Sequence, residues 1–369
     1  MTQKFRNSKK SLANFTPTTV NRFIQRKYTR REFSCCLIVD LSLLCRITSR
    51  KVNRFITRKT LESKKELQNL AHNFVSEVHL KMKEYGLKNI YNYDQSGFQL
   101  KIHSGRTLAD EGTKQVECLV QSVSAMTHSY TIQPTISAEG KLLSPLLIIL
   151  KESSGRLGPI VEQTIFQPSN IFRSVSKSGK ATSEHFKTWL QEVFFPNVGE
   201  KSVLLIDFWS GHCPRVVDGA TPHNKEIVTM IIPKGTTENI QPLDVFGFKI
   251  WKNYVRHFSD SVMLLDYDLN LHLRNNIIKL QSLVHNQLSS PRYKNLFRYA
   301  WFKSGYIEER SEHFENPIEF AFGMSSQTQC EMKGCTNVAI IRCSCGIKSP
   351  CVSNIFSKNI ITVQIMINK

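Results

Sequence analysis

The sequence has no apolar run long enough to cross a membrane. The longest runs, Leu37–Cys45 and Leu142–Leu150, are interrupted by Asp40 and Pro145. Both are far shorter than the roughly 20 residues that a spanning helix needs. No signal peptide is visible, because the first apolar cluster comes late and no small-residue cleavage site follows it. We therefore expect a protein without a membrane partner.

Acidic residues are scarce relative to basic ones. The chain of 369 residues has 30 Asp and Glu against 49 Lys and Arg, a formal net charge of +19. This excess argues against an ordinary metabolic enzyme and favours a polyanionic partner. Hydrophobic residues make up 41% of the chain, which is enough for a globular core and argues against wholesale disorder.

The positive charge is concentrated at one end of the chain. Residues 1–60 hold 15 Lys and Arg but only 2 acids, a net charge of +13, and the rest of the chain has a net charge of +6. A basic segment of this kind is typical of nucleic-acid binding, because each phosphate that it neutralises releases counterions. A solvated basic arm or a nuclear-import tail is the alternative interpretation.

A repeat within this segment favours DNA contact. The sequence VNRFIQRK at Val20–Lys27 recurs as VNRFITRK at Val52–Lys59, identical at seven of eight positions. On a helix, the Val, Phe and Ile side chains of each copy share one stripe and the basic side chains lie opposite. Two such helices suit tandem helix-turn-helix units that enter successive major grooves of double-stranded DNA. The DNA-contacting residues are then predicted to be Arg22, Arg26, Lys27, Arg54, Arg58 and Lys59.

The middle of the chain alternates between strand and helix patterns, which predicts a mixed α/β domain with a central sheet. Strands are predicted at Asn89–Asp94, Val116–Met126, Tyr130–Ser137, Leu146–Leu150, Val203–Asp207 and Ile227–Ile232. Helices are predicted at 61–86, Ser183–Phe195 with Ser183 as N-cap, Val245–Phe258, Leu269–Leu288 and Arg292–Phe302.

Three acids occupy positions that suit a metal site. Asp94 and Asp207 each end a predicted strand, and Asp244 comes just before a predicted helix. Acids at strand ends lie at the rim of a sheet, where open α/β sheets build their sites. Three converging carboxylates would bind two divalent ions such as Mg²⁺ and support phosphodiester chemistry. Any one of them is equally explained as a helix cap or a turn residue.

The segments around these acids carry a family resemblance. The sequences NYDQSGF (Asn92–Phe98), LLIDFWSGH (Leu204–His212) and IPKGTTENIQPLD (Ile232–Asp244) resemble, in order, three motifs of the pogo/Tigger-type DDE transposases of the mariner-like superfamily. The three ordered motifs together are specific, although each alone would be weak. The resemblance covers residues 85–260, roughly half of the chain.

This resemblance implies an RNase H-like fold and a triad of Asp94, Asp207 and Asp244 that holds Mg²⁺ or Mn²⁺. It also implies cleavage of DNA at element ends, strand transfer by the freed 3′-hydroxyl, and a homodimer that joins two ends. Glu238 is a rival third ligand, although Asp244 occupies the matched motif position.

The chain departs from the family pattern at two positions. Gln95 replaces the usual Glu after the first Asp, and Phe208 replaces the Asn after the second. Neither position is a metal ligand in the family, although Phe208 could disturb the surroundings of the ligands. His212 keeps its place, where it could contact DNA, support the site or be structural. Four basic residues could line the DNA path or simply be solvated: Lys234, Lys249, Lys252 and Arg256.

The cysteine-rich tail is a candidate zinc site. Five of the ten cysteines lie within Cys330–Cys351, which is typical of an intracellular thiol or metal cluster rather than a disulfide scaffold. Zinc ligands in such a pattern would be Cys330, Cys335, Cys343 and Cys345. The alternatives are free thiols or the remnant of a finger truncated by a frameshift.

Together these observations predict five regions. They are a basic helix-turn-helix-like region at 1–66, a linker helix at 67–86, a catalytic domain at 87–260, a helical extension at 261–325 and a cysteine-rich tail at 326–369. The favoured function is a nuclear DNA transposase or endonuclease. The alternatives are a catalytically silent, domesticated DNA-binding protein and an RNase H-like nuclease that cleaves RNA–DNA hybrids.

Overall fold

The computed structural model describes residues 58–99, 129–212, 214–264, 269–323 and 341–344. Several predictions on the sequence lie outside these residues: the first basic helix, most of the second, the strand Val116–Met126, and the cysteines Cys330, Cys335 and Cys345. The described residues from 64 onward belong to one compact unit.

The first described element is the long helix α1, Arg58–Tyr85. Its buried side chains, Ala71, Phe74, Val78 and Met82, recur at helical spacing and join the main core. Gly86 has a φ of 76° and donates its N–H to the carbonyl of Met82. A left-handed residue at this position ends the helix, as the sequence predicted.

The described residues contain eight strands in two four-stranded groups. They are β1 (Ile90–Tyr93), β2 (Ser96–Gln99), β3 (Ser129–Gln133), β4 (Thr135–Ser137), β5 (Leu146–Lys151), β6 (Ile171–Ser176), β7 (Lys201–Ile206) and β8 (Glu226–Ile231). The pairs β1–β4 and β2–β3 are antiparallel and share one register, because Tyr93 pairs with Thr135 and Ser96 pairs with Ile132. β1 and β2 are therefore one strand interrupted at Asp94 and Gln95, opposite a second strand interrupted at Pro134.

The strand order identifies the fold. With the interrupted strands joined, the order is β6, β5, β3/β4, β1/β2, β7 and β8. The three central strands form an antiparallel meander, whereas β7 lies parallel to β1 and β8 parallel to β7. A meander of three strands extended by two parallel strands is the RNase H-like arrangement. The predicted α/β fold with a central mixed sheet is confirmed.

Helices cross between the later strands and follow them. The remaining helices are α2 (Pro159–Thr164), α3 (Ser183–Trp189), α4 (Phe195–Asn197), α5 (Pro214–Ala220), α6 (Thr237–Ile240), α7 (Phe248–Leu264), α8 (Arg274–Leu288), α9 (Lys294–Lys303) and α10 (Pro317–Phe322). One π-helical turn, Leu190–Phe194, joins α3 to α4, and a second, Leu243–Gly247, leads into α7. None of the helices in the described ranges is long and apolar enough to span a bilayer.

Apolar clusters cover both faces of the sheet. Along β7, Val203 and Leu205 face the larger cluster, and Leu204 and Ile206 face the smaller one. α1, α7, α8 and α9 contribute to the larger cluster, and α3 with its π-helical turn contributes to the smaller. Each large apolar side chain that is fully buried stabilises the fold by about 1.5–3 kcal/mol. Burial on both faces explains why this strand is a continuous apolar run in the sequence.

Three sequence predictions need correction. The N-cap of α3 lies one residue earlier than predicted, because Thr182 and not Ser183 caps the helix and shares a capping box with His185. The helix predicted from Leu269 begins only at Arg274. β6 was not predicted, because its sequence contains Arg173 among small and polar residues and lacks a clear period of two.

His285 gives the fold a pH dependence. Its fully buried ring bonds through Nε2 to the Leu143 carbonyl and through Nδ1 to the Asn170 amide. Burial lowers the pKa of His285 from 6.5 to about 4. The unfolded chain therefore takes up this proton before the folded chain does.

We expect His285 to cost the folded state about 3 kcal/mol of stability as the pH falls from 6.5 to about 4. Urea denaturation across this range, followed by tryptophan fluorescence, measures the effect. The His285→Gln variant should lose stability less steeply. The exposed His223 is the matched control, and an equally shallow slope for His223→Gln would contradict the assignment.

Candidate active site

Asp94 lies at the interruption between β1 and β2, at the carboxyl end of β1. Its side chain is buried, and its Oδ1 accepts the Gln95 N–H at 2.7 Å. The strand breaks here because Pro134, opposite, has no N–H to donate to the ladder. Because the strand is interrupted here, Asp94 lies at the end of β1, at the edge of the sheet, and not in the middle of a longer strand.

Asp207 follows β7, the parallel neighbour of β1. Asn92 pairs with Leu205 across these strands, so the same register carried two residues further sets Asp207 opposite Asp94. Neighbouring strands lie about 4.8 Å apart. Parallel pairing therefore brings two acids 113 positions apart in the sequence to adjacent sites.

Asp244 comes from outside the sheet. It is in the π-helical turn Leu243–Gly247, and the Leu243 N–H before it donates to Oδ1 of Asn92 at 3.1 Å. Its side chain lies close enough to accept a hydrogen bond from the Asp94 carboxyl when that group is protonated. The charges of the three acids of the predicted triad therefore influence one another.

The electrostatics of the three acids are those of crowded like charges. Burial, followed by repulsion from Asp244 and Asp207, raises the pKa of Asp94 well above its usual value, and the Gln95 N–H opposes this. The residue Asp244 is exposed to solvent, but neighbouring protein atoms partly desolvate its carboxylate. This desolvation, followed by repulsion from Asp207, raises the pKa of Asp244 as well. Lys252 opposes that second shift. Crowded carboxylates of this kind cluster at functional sites.

The donor set fits a hard divalent cation. Carboxylate oxygens are the ligands that Mg²⁺ prefers, and a bound cation would cancel the repulsion among the acids. Oδ1 of Asp207 is buried and lies 2.5 Å from Nδ1 of His212, without a well-aligned hydrogen bond between the two atoms. The three carboxylates do not form a complete set of metal ligands in this conformation. Within the described ranges, no three His, Cys, Asp or Glu residues are grouped closely enough to hold a metal ion.

Two family models match the chain. Residues 131–288 match the DDE superfamily endonuclease, and residues 301–359 match the Tc5 transposase C-terminal domain. Together the two matches support a DDE transposase. The resemblance to the pogo/Tigger type that the three motifs predicted is confirmed. No curated protein sequence matches the chain.

Solved structures of a DDE transposase are similar to this chain. The Mos1 mariner paired-end complex with Mn has a TM-score of 0.40 at 10% identity, over 82% of this chain and 80% of that one. The Mos1 paired-end complex with the left transposon end has a TM-score of 0.35 at 10% identity, over 80% of both chains. The catalytic domain of Mos1 has a TM-score of 0.29 at 10% identity, over 72% of this chain and all of that one.

His212, at its DDE motif position, packs against the second acid. Its side chain is fully buried, and its Nδ1 lies 2.5 Å from Oδ1 of Asp207, although the two are not aligned as a hydrogen bond. The rings of Tyr93, Phe186 and Trp209 surround it at centroid distances of 5.3, 4.6 and 4.8 Å. His212 therefore supports Asp207 from the protein side and is not a surface contact for DNA.

The other predicted residues near the DDE site differ in placement. Phe208 is 64% exposed beside Asp207. Lys252 is exposed and also lies over the rings of Phe98 and Phe248. Glu238, the rival ligand, is exposed in α6 and near enough to Asp244 to help raise its pKa. Three further basic side chains are exposed: Lys234, Lys249 and Arg256.

Sequence reasoning missed two buried amides at the site. Asn92 lies two residues before Asp94, and Gln241 lies three residues before Asp244. Both are fully buried. Each lies within a motif that carried the resemblance, so a signal existed. The amide of Asn92 within the strand β1 could have indicated a residue that supports the site, because a buried polar group needs hydrogen-bond partners.

Replacing the first acid should stabilise the metal-free protein. In the Asp94→Asn variant, a neutral amide replaces a buried carboxyl that faces two others, so the melting temperature at pH 7 in EDTA should rise. The gain should shrink as the pH approaches the ordinary carboxyl pKa of 3.8, because there the unfolded chain is protonated too.

The exposed Asp260 provides the control, since Asp260→Asn should leave the melting temperature nearly unchanged. A lower melting temperature for Asp94→Asn than for the unmodified chain at pH 7 would show that the three acids do not repel one another.

Proposed function

We propose that this protein is a DNA transposase whose endonuclease site is formed by Asp94, Asp207 and Asp244 with Mg²⁺ or Mn²⁺. The observation that supports it is the convergence of three acids, from three separate DDE motifs, at the carboxyl edge of one sheet. A structural ion pair would not explain the arrangement, because the acids repel one another without a cation among them.

The proposed reaction is cleavage of a phosphodiester at the element end, followed by strand transfer. Bound divalent ions would activate a water or a 3′-hydroxyl for attack and stabilise the leaving oxygen. Asp94 and Asp207 would hold their ligand oxygens in place from two paired strands, and Asp244 would complete the set from the turn. Hydrolysis adds water across one P–O bond and leaves a 5′-phosphate and a 3′-hydroxyl. That 3′-hydroxyl then attacks a phosphodiester of the target DNA, forms one new P–O bond, and releases a 3′-hydroxyl of the target strand as the old P–O bond breaks.

Double-stranded DNA is the proposed partner, both as transposon ends and as target. The basic repeat of residues 20–27 and 52–59 would position the ends through phosphate and major-groove contacts. Two ends must be joined in one reaction, so the proposal includes a homodimer, and it includes a nuclear location because the substrate is chromosomal DNA. Structural zinc in the cysteine tail is also proposed; of its four ligands, Cys343 is buried.

A catalytically silent DNA-binding protein is the second candidate. One observation favours it: Phe208 replaces the family Asn directly after Asp207 and lies 64% exposed at the site. An amide at this position could bond to a ligand carboxylate or a phosphate, and a phenyl ring can do neither. DNA cleavage distinguishes the two candidates.

We expect the full chain to nick supercoiled plasmid DNA when Mn²⁺ or Mg²⁺ is present and not in EDTA. Asp207→Ala should lower this activity by at least about 100-fold, because it deletes a ligand carboxylate, while leaving DNA affinity in EDTA unchanged. Gel electrophoresis of the relaxed product and a filter-binding assay give the two readouts.

The exposed acid Asp218 in α5 is the matched control, and Asp218→Ala should nick normally. If the chain binds DNA but neither ion supports nicking, the silent DNA-binding protein is the correct assignment.

The basic repeat should determine the salt dependence of DNA binding. Neutralising Arg22, Arg26 and Lys27 together to Gln should make the slope of log affinity against log salt shallower by about 0.9 for each phosphate that the variant no longer neutralises. Fluorescence anisotropy between low and physiological salt measures this slope. An unchanged slope would mean that the first copy of the repeat binds no phosphate.

A further inference from the structure

Asn92 is a polar residue at the centre of the sheet. It lies on β1 with 0% of its surface exposed. The next inward-facing residue of that strand is Ile90, and Leu205 and Leu243 lie beside it in the larger apolar cluster. An amide without partners in such a place would cost about 1–3 kcal/mol, so its hydrogen bonds show why it is tolerated.

All polar atoms of the Asn92 side chain are used. Its Nδ2 donates to the carbonyls of Leu205 and Tyr93, both at 3.3 Å, and its Oδ1 accepts the Leu243 N–H at 3.1 Å. Only this orientation of the amide is satisfied, because a flipped amide would set its NH₂ against the Leu243 N–H. The side chain therefore has one defined position.

These partners have one property in common, which is that each belongs to a segment carrying an acid. Asn92 lies two residues before Asp94, Leu205 lies two residues before Asp207, and Leu243 directly precedes Asp244. The backbone ladder already joins β1 to β7. The turn Leu243–Gly247 is not part of the sheet, and the Asn92 bond ties its first N–H to β1.

We propose that Asn92 is a positioning residue that sets the third acid against the first two and so determines the affinity of the site for divalent cations. This inference rests on the proposed function of the three acids as metal ligands. Asn92 touches neither DNA nor the ion. It acts through the backbone of the three segments, as outer-shell groups do when they orient metal ligands.

The test compares Asn92→Leu with a matched change elsewhere in the same core. Gln281 is also fully buried and amide-bonded, accepting from Trp251 Nε1 at 2.8 Å and donating to the Tyr130 hydroxyl at 2.6 Å. Leu keeps the branching of the Asn side chain with a larger volume and is shorter than the Gln side chain, and both variants remove buried hydrogen bonds. Only Asn92 is bonded to segments that carry the acids.

The first readout is Mn²⁺ alone, titrated onto the full chain without DNA and followed by the EPR signal of the free ion. Asn92→Leu should weaken Mn²⁺ binding by about 10-fold or more, and Gln281→Leu should leave it unchanged. Equal affinities in Asn92→Leu and the unmodified chain, or equal losses in both variants, would overturn the proposal.

The second readout is amide hydrogen exchange, which does not depend on metal. In EDTA, residues 243–247 should exchange faster in Asn92→Leu than in the unmodified chain, and residues 203–206 of β7 should not. Unchanged exchange at 243–247 would overturn the proposal. Should Asn92→Leu not fold, as judged by circular dichroism, Asn92→Ala is used instead, since a water can occupy the space of the deleted amide.

The two readouts separate this inference from the proposed function. If the unmodified chain and Asp207→Ala bind Mn²⁺ equally weakly, the assignment of the acids as ligands fails. Faster exchange at 243–247 in Asn92→Leu would then still show that Asn92 connects the turn to the sheet. Unchanged exchange would contradict that connection as well.

Discussion

The parallel pairing of β1 with β7 is the constraint on which the site depends. It sets Asp94 opposite Asp207 at the carboxyl ends of two neighbouring strands, where the two carboxylates repel each other. The repulsion works against folding, and the apolar clusters on both faces of the sheet offset it. Because β7 is buried on both faces, it keeps the two acids close together, whereas a flexible loop would let them move apart.

The third acid is held differently. Asp244 belongs to a helical turn outside the sheet, and the turn is tied to β1 through the buried amide of Asn92. On the other side, His212 packs against Asp207 within an aromatic cluster formed by Tyr93, Phe186 and Trp209. The protein thus surrounds two of the acids with buried, well-packed groups.

Much of this site was predictable because its signals are local. Asp94, Asp207 and Asp244 each lie in a short ordered motif, and the strand endings around the first two are visible as apolar runs. The hydrogen-bond partners of Asn92 and the burial of His212 were not predictable, since they depend on neighbours more than 100 positions away or on rings from several elements. β6 escaped prediction because pairing with β5, and not its own weak pattern, makes it a strand.

The amino-acid sequence alone predicts a nucleic-acid partner, the family resemblance and the three candidate acids, because charge, composition and short motifs are properties of neighbouring residues. Folding adds the order of the strands, the register that sets Asp207 beside Asp94, and the contact that brings in Asp244. These are relations between distant segments, and they are fixed by which apolar faces pack together and which buried polar groups find partners. Neither the packing of the apolar faces nor the pairing of the buried polar groups can be predicted from one short segment of the sequence.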